Sequence, residues 1–246
     1  MLKLYAVTHK QEKKYAKGRT LIGVGANKNI LGVSVYDNTG DNIADKNKHY
    51  CELTALYWIW KNTNDEFVGL EHYRRFFAKE KFFYYRPMRI REMERVLKNY
   101  DIILPRRETI GESVYSNYEE FHYKSDMDVC GEVIKEKYPD FSEDFDAVMK
   151  ESKIAMANIF VANKKLADEY CEWIFNVLFE VEKRITYLDR DAYQQRVFGF
   201  LSERLFNVWL RHKNLKVKYE HMRGFNEGGR LFRVIKRTLS KLKKKK

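Results

Sequence analysis

The chain has 246 residues, 44% apolar and 15% aromatic, with only three prolines, a size and composition that fit one large domain with a sizeable buried core rather than a string of linkers. The net charge of +12 points toward nucleic acid until it is located: residues 230–246 carry nine positive charges and no acid, leaving the other 229 residues at +3. Three widely spaced cysteines, Cys51, Cys130 and Cys171, and six scattered histidines argue against a zinc site, and no apolar run nears the ~20 residues a membrane span needs.

In chain order, "LKLYAVTH" (2–9) reads as a strand ending in the polar Thr8 and His9. "TLIGVGA" (20–26) carries Gly23 and Gly25 but lacks the third glycine and helix of a dinucleotide fingerprint. A turn-rich loop, 36–47, holds Asp37, Asp41 and Asn42. It opens into a predicted helix over 49–62, apolar on nearly every face, with Glu52 in its first turn where an acid suits the helix dipole. A strand over 66–77 follows, containing "GLEHYRRFF", then a helix over 89–99 and a buried strand, "YDIILP", stopped by Pro105.

After a polar stretch (106–127) come a helix near 126–137 and a strand, "IAMANIFVA" (154–162), with Asn158 among apolar neighbours. An amphipathic helix over 164–184 and another near 190–212 complete the body, and Arg196, Gly199, Glu203 and Asn207 share one line of the latter. Strands alternating with helices predict an α/β domain over 1–225 with a mainly parallel central sheet. Residues 226–246 form a basic amphipathic tail, in which Leu231, Ile235, Leu239 and Leu242 recur at helical spacing. Such a segment suits an anionic membrane surface, each basic residue contributing about 1 kcal/mol.

No hydrolase elbow, zincin or P-loop motif occurs. Charged strand ends and loops remain, and ligands of open α/β sheets bind there. Arginine is rarely buried without an anionic partner, so "HYRR" either sits in a salt-bridge network or faces something negative. Strand alternation places His72 and Arg74 on one face, and Tyr73 and Arg75 on the other, so that Arg74 with His72 would meet an anion while Arg75 finds a structural carboxylate.

"DNTGDNI", "YCELTALYWIWKN", "GLEHYRR", "ANIFVA" and "QRVFGFLSERLFNVW" together resemble a family of small bacterial glycosyltransferases of capsular, exopolysaccharide and O-antigen synthesis, catalogued as a domain of unknown function. The resemblance spans residues 2–210; "ANIFVA" departs from it at Ala157 and Ala162, where methionines are expected. It implies a GT-A-like single domain that transfers a hexose, such as galactofuranose or galactose, from a UDP-sugar to a lipid-linked saccharide at the cytoplasmic face of the membrane, with inversion. In that fold an Asp-x-Asp pair ends the strand after the buried helix and holds a divalent metal. Element order puts His72-Tyr73-Arg74 at this place, so cationic side chains are expected to take the diphosphate and no metal ligand is assigned. Asp37 with Asp41, or Asp189 with Asp191, stay open as a metal site.

The donor-binding candidates are Thr8, His9, Asp37, Asn42, His72, Tyr73, Arg74, Arg75, Asn158 and Arg196. Glu203, beside Arg196 on its helix face, is the first candidate for general base and Asp41 the second. The competing reading is a nucleic-acid-binding protein acting through its tail; the nearly neutral body speaks against it.

Overall fold

The structure, a computed structural model, describes residues 1–12, 14–25, 29–81 and 84–224. The basic tail therefore lies outside the described residues. A nine-stranded sheet runs through the molecule. Its strands are β1 (Leu2–Thr8), β2 (Thr20–Gly23), β3 (Val35–Tyr36), β4 (Phe67–His72), β5 (Phe76–Glu80), β6 (Tyr85–Pro87), β7 (Ile102–Pro105), β10 (Phe160–Asn163) and β11 (Val217–Arg223); β8 (Glu108–Thr109) and β9 (Lys153–Ile154) pair separately. The order is β3-β2-β1-β4-β10-β7-β11-β5-β6. Its first four strands are parallel, as are β7 and β11, while β10 and β5 run antiparallel to their neighbours. This is the mainly parallel α/β domain expected.

Eight α-helices accompany the sheet among the described residues: α1 (Asn47–Tyr50), α2 (Leu53–Asn62), α3 (Ile90–Leu97), α4 (Val114–Phe121), α5 (Lys124–Lys137), α6 (Ser142–Lys150), α7 (Lys164–Glu182) and α8 (Val197–Lys213). Alternation along the strands divides the core. Tyr5 and Val7, Ile102 and Leu104, and Phe160 and Ala162 face the larger cluster with α2, α5, α7 and α8. Leu2 and Leu4, Ile103 and Val161 turn to the other face, under Met93 and Leu97 of α3. Helix α7 is capped by Asn163, whose side chain accepts the Leu166 N–H at 2.8 Å, and it buries the predicted Tyr170–Trp173–Val177–Val181 stripe.

Three predicted elements are broken, and each break lies at one end of the sheet. The helix over 49–62 is interrupted at Cys51, whose φ of 52° ends α1; Asn47 holds the interruption by donating to the Cys51 carbonyl at 2.8 Å and to Thr54 Oγ1 at 2.9 Å. The strand over 66–77 stops at His72 and turns tightly, His72 N–H donating to the Arg75 carbonyl at 3.0 Å and Arg75 N–H returning the bond at 3.1 Å. The strand over 154–162 gives way to left-handed residues at Ala157 (φ 76°) and Asn158 (φ 49°) before β10. Backbone of this kind stores strain that surrounding structure must hold, and such strain gathers at functional sites.

Candidate active site

The breaks converge on a cleft of about 870 Å³ beyond the carboxyl ends of β1 and β4. In open α/β sheets this is where ligands bind. Its floor carries two carboxylates from different elements. Glu52 opens α2 and accepts the Asn158 Nδ2 hydrogen at 2.8 Å; Asn158, 1% exposed, also donates to Ser202 Oγ at 2.8 Å. Glu203, one face of α8 along from Arg196, accepts the Ala157 N–H at 3.0 Å and the Arg204 guanidinium at 3.1 Å. The left-handed turn at 157–158 thus presents one donor to each carboxylate. Helix α8 approaches the Cys51 interruption closely at Gly199, where a Cβ would lie a tight 3.3 Å from the Cys51 sulfur.

Burial raises both carboxyls. Glu203 is pushed up to about 7, chiefly by desolvation, with Arg204 opposing and the charge of Glu52 adding to it. Glu52 is raised by desolvation against the bond from Asn158 and the charges of Arg196 and Arg75. A carboxyl poised near neutrality in a cleft can take or give a proton at physiological pH.

Cations surround this pair. Arg74, Arg75 and Arg196 are exposed and line the cleft. Arg74 lies 5.5 Å from the Tyr73 ring centroid, Arg196 lies 5.4 Å from that of Phe200, and Arg196 Nε donates to the Cys51 sulfur at 3.2 Å. His9 lines the same wall, its ring edge-on to Tyr73 at 5.4 Å, and burial lowers its pKa.

Because the chain turns at 72–75, the expected alternation fails: Arg74 and Arg75 both reach the cleft, together with His72 and Tyr73. The structural carboxylate expected for Arg75 is likewise absent among the described residues. The two carboxylates that feel its charge, Glu52 and Glu203, are bonded by Asn158 and Arg204 instead. His72 changes role. Desolvation and the neighbouring arginines lower its pKa to about 3, so it is a neutral ring at pH 7 and not a cationic partner for Arg74. Its Nε2 is buried without a hydrogen-bond partner, facing Glu52.

The polar loop stands apart from the cleft. Asp37, 2% exposed, accepts the Thr54 hydroxyl at 2.5 Å. Asn42 bonds the Gly40 carbonyl and the Ala44 N–H, shaping its own loop. Asp41 is exposed, receiving the Tyr57 hydroxyl at 3.3 Å while its backbone is held by Asn62. Thr8 is buried and donates to the Lys10 carbonyl at 2.6 Å, making the turn that follows β1. Asn158 sits beneath the cleft and positions Glu52. Asp191 caps the turn before α8, accepting from Tyr193 and Gln194 N–H, as an acid opening a helix does. Among the described residues no three His, Cys, Asp or Glu side chains are grouped to hold a metal ion, and no helix is long and apolar enough to cross a membrane.

The model of a domain of unknown function, DUF4422, matches residues 3–214. This chain belongs to that family. The DUF4422 chain is also similar to the apo structure of the bifunctional glycosyltransferase WbbM, with a TM-score of 0.80 and 29% identity, over 92% of this chain and 46% of that one. It therefore spans about half the length of the protein it resembles. No curated protein matches it.

Proposed function

We propose that this chain is a glycosyltransferase that moves a hexose from a nucleotide-activated donor to a saccharide acceptor. The observation that carries the proposal is the pairing, in one cleft at the strand ends, of three exposed guanidiniums with a carboxyl whose pKa lies near 7. A sugar nucleotide has a diphosphate leaving group and a reacting anomeric carbon, and these are the two needs such a cleft meets. Glu203 takes the proton of the acceptor hydroxyl as its oxygen bonds to the anomeric carbon. The bond from that carbon to the diphosphate breaks, and Arg74, Arg75 and Arg196 neutralise the charge that leaves with it. Attack opposite the leaving group inverts the anomeric centre. Glu52, fixed by Asn158, faces the same space, with the neutral His72 ring 4.0 Å away.

The resemblance to a WbbM structure supports this reading. We further propose that the arginines stand in for a divalent metal, that the donor is a UDP-sugar, that the acceptor is lipid-linked in surface-polysaccharide synthesis, and that residues 230–246 hold the enzyme against anionic headgroups at the cytoplasmic face. The test is thermal stabilisation by UDP against an oligonucleotide, followed by UDP release from UDP-galactose with and without excess EDTA. UDP should raise the melting temperature and the oligonucleotide should not, and release should survive EDTA. A response to oligonucleotide alone points to the nucleic-acid reading; strict need for manganese or magnesium removes the arginines from the metal's role.

A further inference from the structure

One wall of the cleft is unlike the rest. Phe121, at the end of α4, and Tyr193, just before α8, line the mouth with 53% of each exposed. Beneath them Phe200 of α8 lies 5.0 Å from the Tyr193 ring and stacks at 4.1 Å on His122, which itself stacks toward Tyr193 at 5.9 Å. Gln194 ties the two approaches together, donating to the Phe121 carbonyl at 2.8 Å. The result is a fixed, half-open aromatic shelf. Large exposed aromatics on a soluble face mark contact with a ligand or partner.

We infer that Phe121, Tyr193 and Phe200 form the acceptor subsite, a shelf for the C–H face of a hexose ring. This rests on the glycosyltransferase reading. The negative face of an aromatic ring attracts polarised C–H bonds, and a pyranose or furanose ring presents several on one face while its hydroxyls point outward. Position selects the acceptor over the donor. Phe200 and Glu203 are three residues apart on one face of α8, so about 4.5 Å separates them along the axis. A ring seated on the shelf therefore reaches the general base with one hydroxyl, as a nucleophile must. Arg196 lies beside the shelf, 5.4 Å from Phe200 and 6.0 Å from Tyr193, so the leaving-group charge would sit next to the acceptor ring. Exposure of Phe121 and Tyr193 at the rim leaves the far end open, which suits a saccharide that continues into solvent. The nucleoside is then left the part of the cleft lined by Val7, His9 and Val24, at the ends of β1 and β2.

The experiment uses the full chain with UDP bound and titrates octyl β-galactopyranoside and octyl β-glucopyranoside, followed by saturation-transfer NMR. At least one glycoside should bind with transfer concentrated on one ring face, and Phe121→Ala and Tyr193→Ala should each weaken it about tenfold. Both variants should keep the UDP-induced rise in melting temperature, and Tyr193→Phe should keep glycoside binding. The inference is overturned if neither glycoside binds the UDP-loaded protein, if binding is equal in the alanine variants, or if those variants lose the UDP response, which would assign the shelf to the nucleobase. Failure of UDP to stabilise the unmodified protein would instead remove the donor reading on which the shelf depends.

Discussion

Glu71 and Glu203 are both buried carboxylates served by an arginine, and the contrast between them separates what holds the fold from what the fold holds ready. Glu71, fully buried near the end of β4, receives Arg19 through two nitrogens at 2.8 and 3.2 Å and the Phe77 N–H at 2.7 Å. Arg19, itself 1% exposed in its side chain, also donates through Nη1 to the Lys17 and Met88 carbonyls. Both charged groups are bonded internally and closed off from the surface, so no ligand reaches them. Glu203 has one backbone donor and a single guanidinium contact, a second carboxylate acts on it, and it opens to a cleft where three further arginines point. Arg19, which the sequence did not single out, satisfies the rule about buried arginine by pairing with Glu71, whereas both arginines of "HYRR" are exposed to the cleft.

The largest expected effect is on chemistry. Glu203→Gln should lower transfer by ~10²–10⁴, the usual contribution of a general base, while the melting temperature holds or rises because a strained charge is gone. Retained turnover would return the base to another group, with Glu52 next in place. The mirror change is Arg19→Ala, which strands a buried carboxylate. It should destabilise the protein by about 3–5 kcal/mol, read as a lower denaturant midpoint, and leave the UDP response of the surviving folded fraction intact. Arg75→Ala sharpens the same contrast. It should cost ~10²–10³ in transfer with an unchanged midpoint, since the residue is exposed and pairs with no carboxylate among the described residues. A fall in stability like that of Arg19→Ala would place Arg75 with the fold and not with the leaving group.

How much of this was readable divides along the same line. The sheet, the α7 stripe and the buried face of α8 follow from periodicity, because burial on one side leaves a repeating trace. Glu203 with Arg196 followed from one helix face. The turn at 72–75 left no trace. Hairpin turns announce themselves by glycine or asparagine where φ must be positive, and none of residues 72–75 has positive φ. The Cys51 interruption is hidden for the opposite reason, a positive φ carried by a residue that gives no warning of it. In the sequence Glu52 suits the helix dipole, a place that does not tell a structural acid from a functional one. The signal was present, since an acid leading into a helix that is apolar on all faces must lie close to the core. The loop of Asp37, Asp41 and Asn42 draws attention by its composition, but turn chemistry and ligand chemistry use the same residues, and here its hydrogen bonds close on the loop and on α2 beside it. Helix α6 and strand β11 lie in segments rich in charge whose pattern is too short to stand out.

Titration offers a finer cut. A base must be ionised, so with the Glu203 carboxyl near 7 transfer should rise about tenfold per pH unit below that value and level off above it. Stability should run the other way. A carboxyl raised in the folded state binds more protons there than in the unfolded chain, so it stabilises less as pH climbs from about 4.5 to about 7. Glu71 and Glu52 are raised too and add to the decline, so Glu203→Gln should flatten part of it. A rate profile with no rise near neutrality would mean that Glu203 does not act as the base.

The smallest effect belongs to the loop. Asp41 is exposed, receives one long hydrogen bond from Tyr57, and is held mainly through its backbone, where Asn62 accepts the Asp41 N–H at 3.1 Å and donates to its carbonyl at 2.7 Å. Asp41→Asn keeps those backbone bonds and the size of the side chain, removing only a solvated charge, so stability should shift by about 0.5 kcal/mol or less. It does not line the cleft, so KM for donor and acceptor and kcat should all stay within about twofold. Asn62→Ala, at the end of α2, provides the contrast, since it deletes both clamps on the loop and should lower the midpoint by about 1–2 kcal/mol without touching catalysis. If Asp41→Asn instead reduced kcat by an order of magnitude with stability unchanged, the loop would have to reach the reacting sugar during turnover, and the division between structural and catalytic carboxylates drawn from Glu71 and Glu203 would need a third, mobile class.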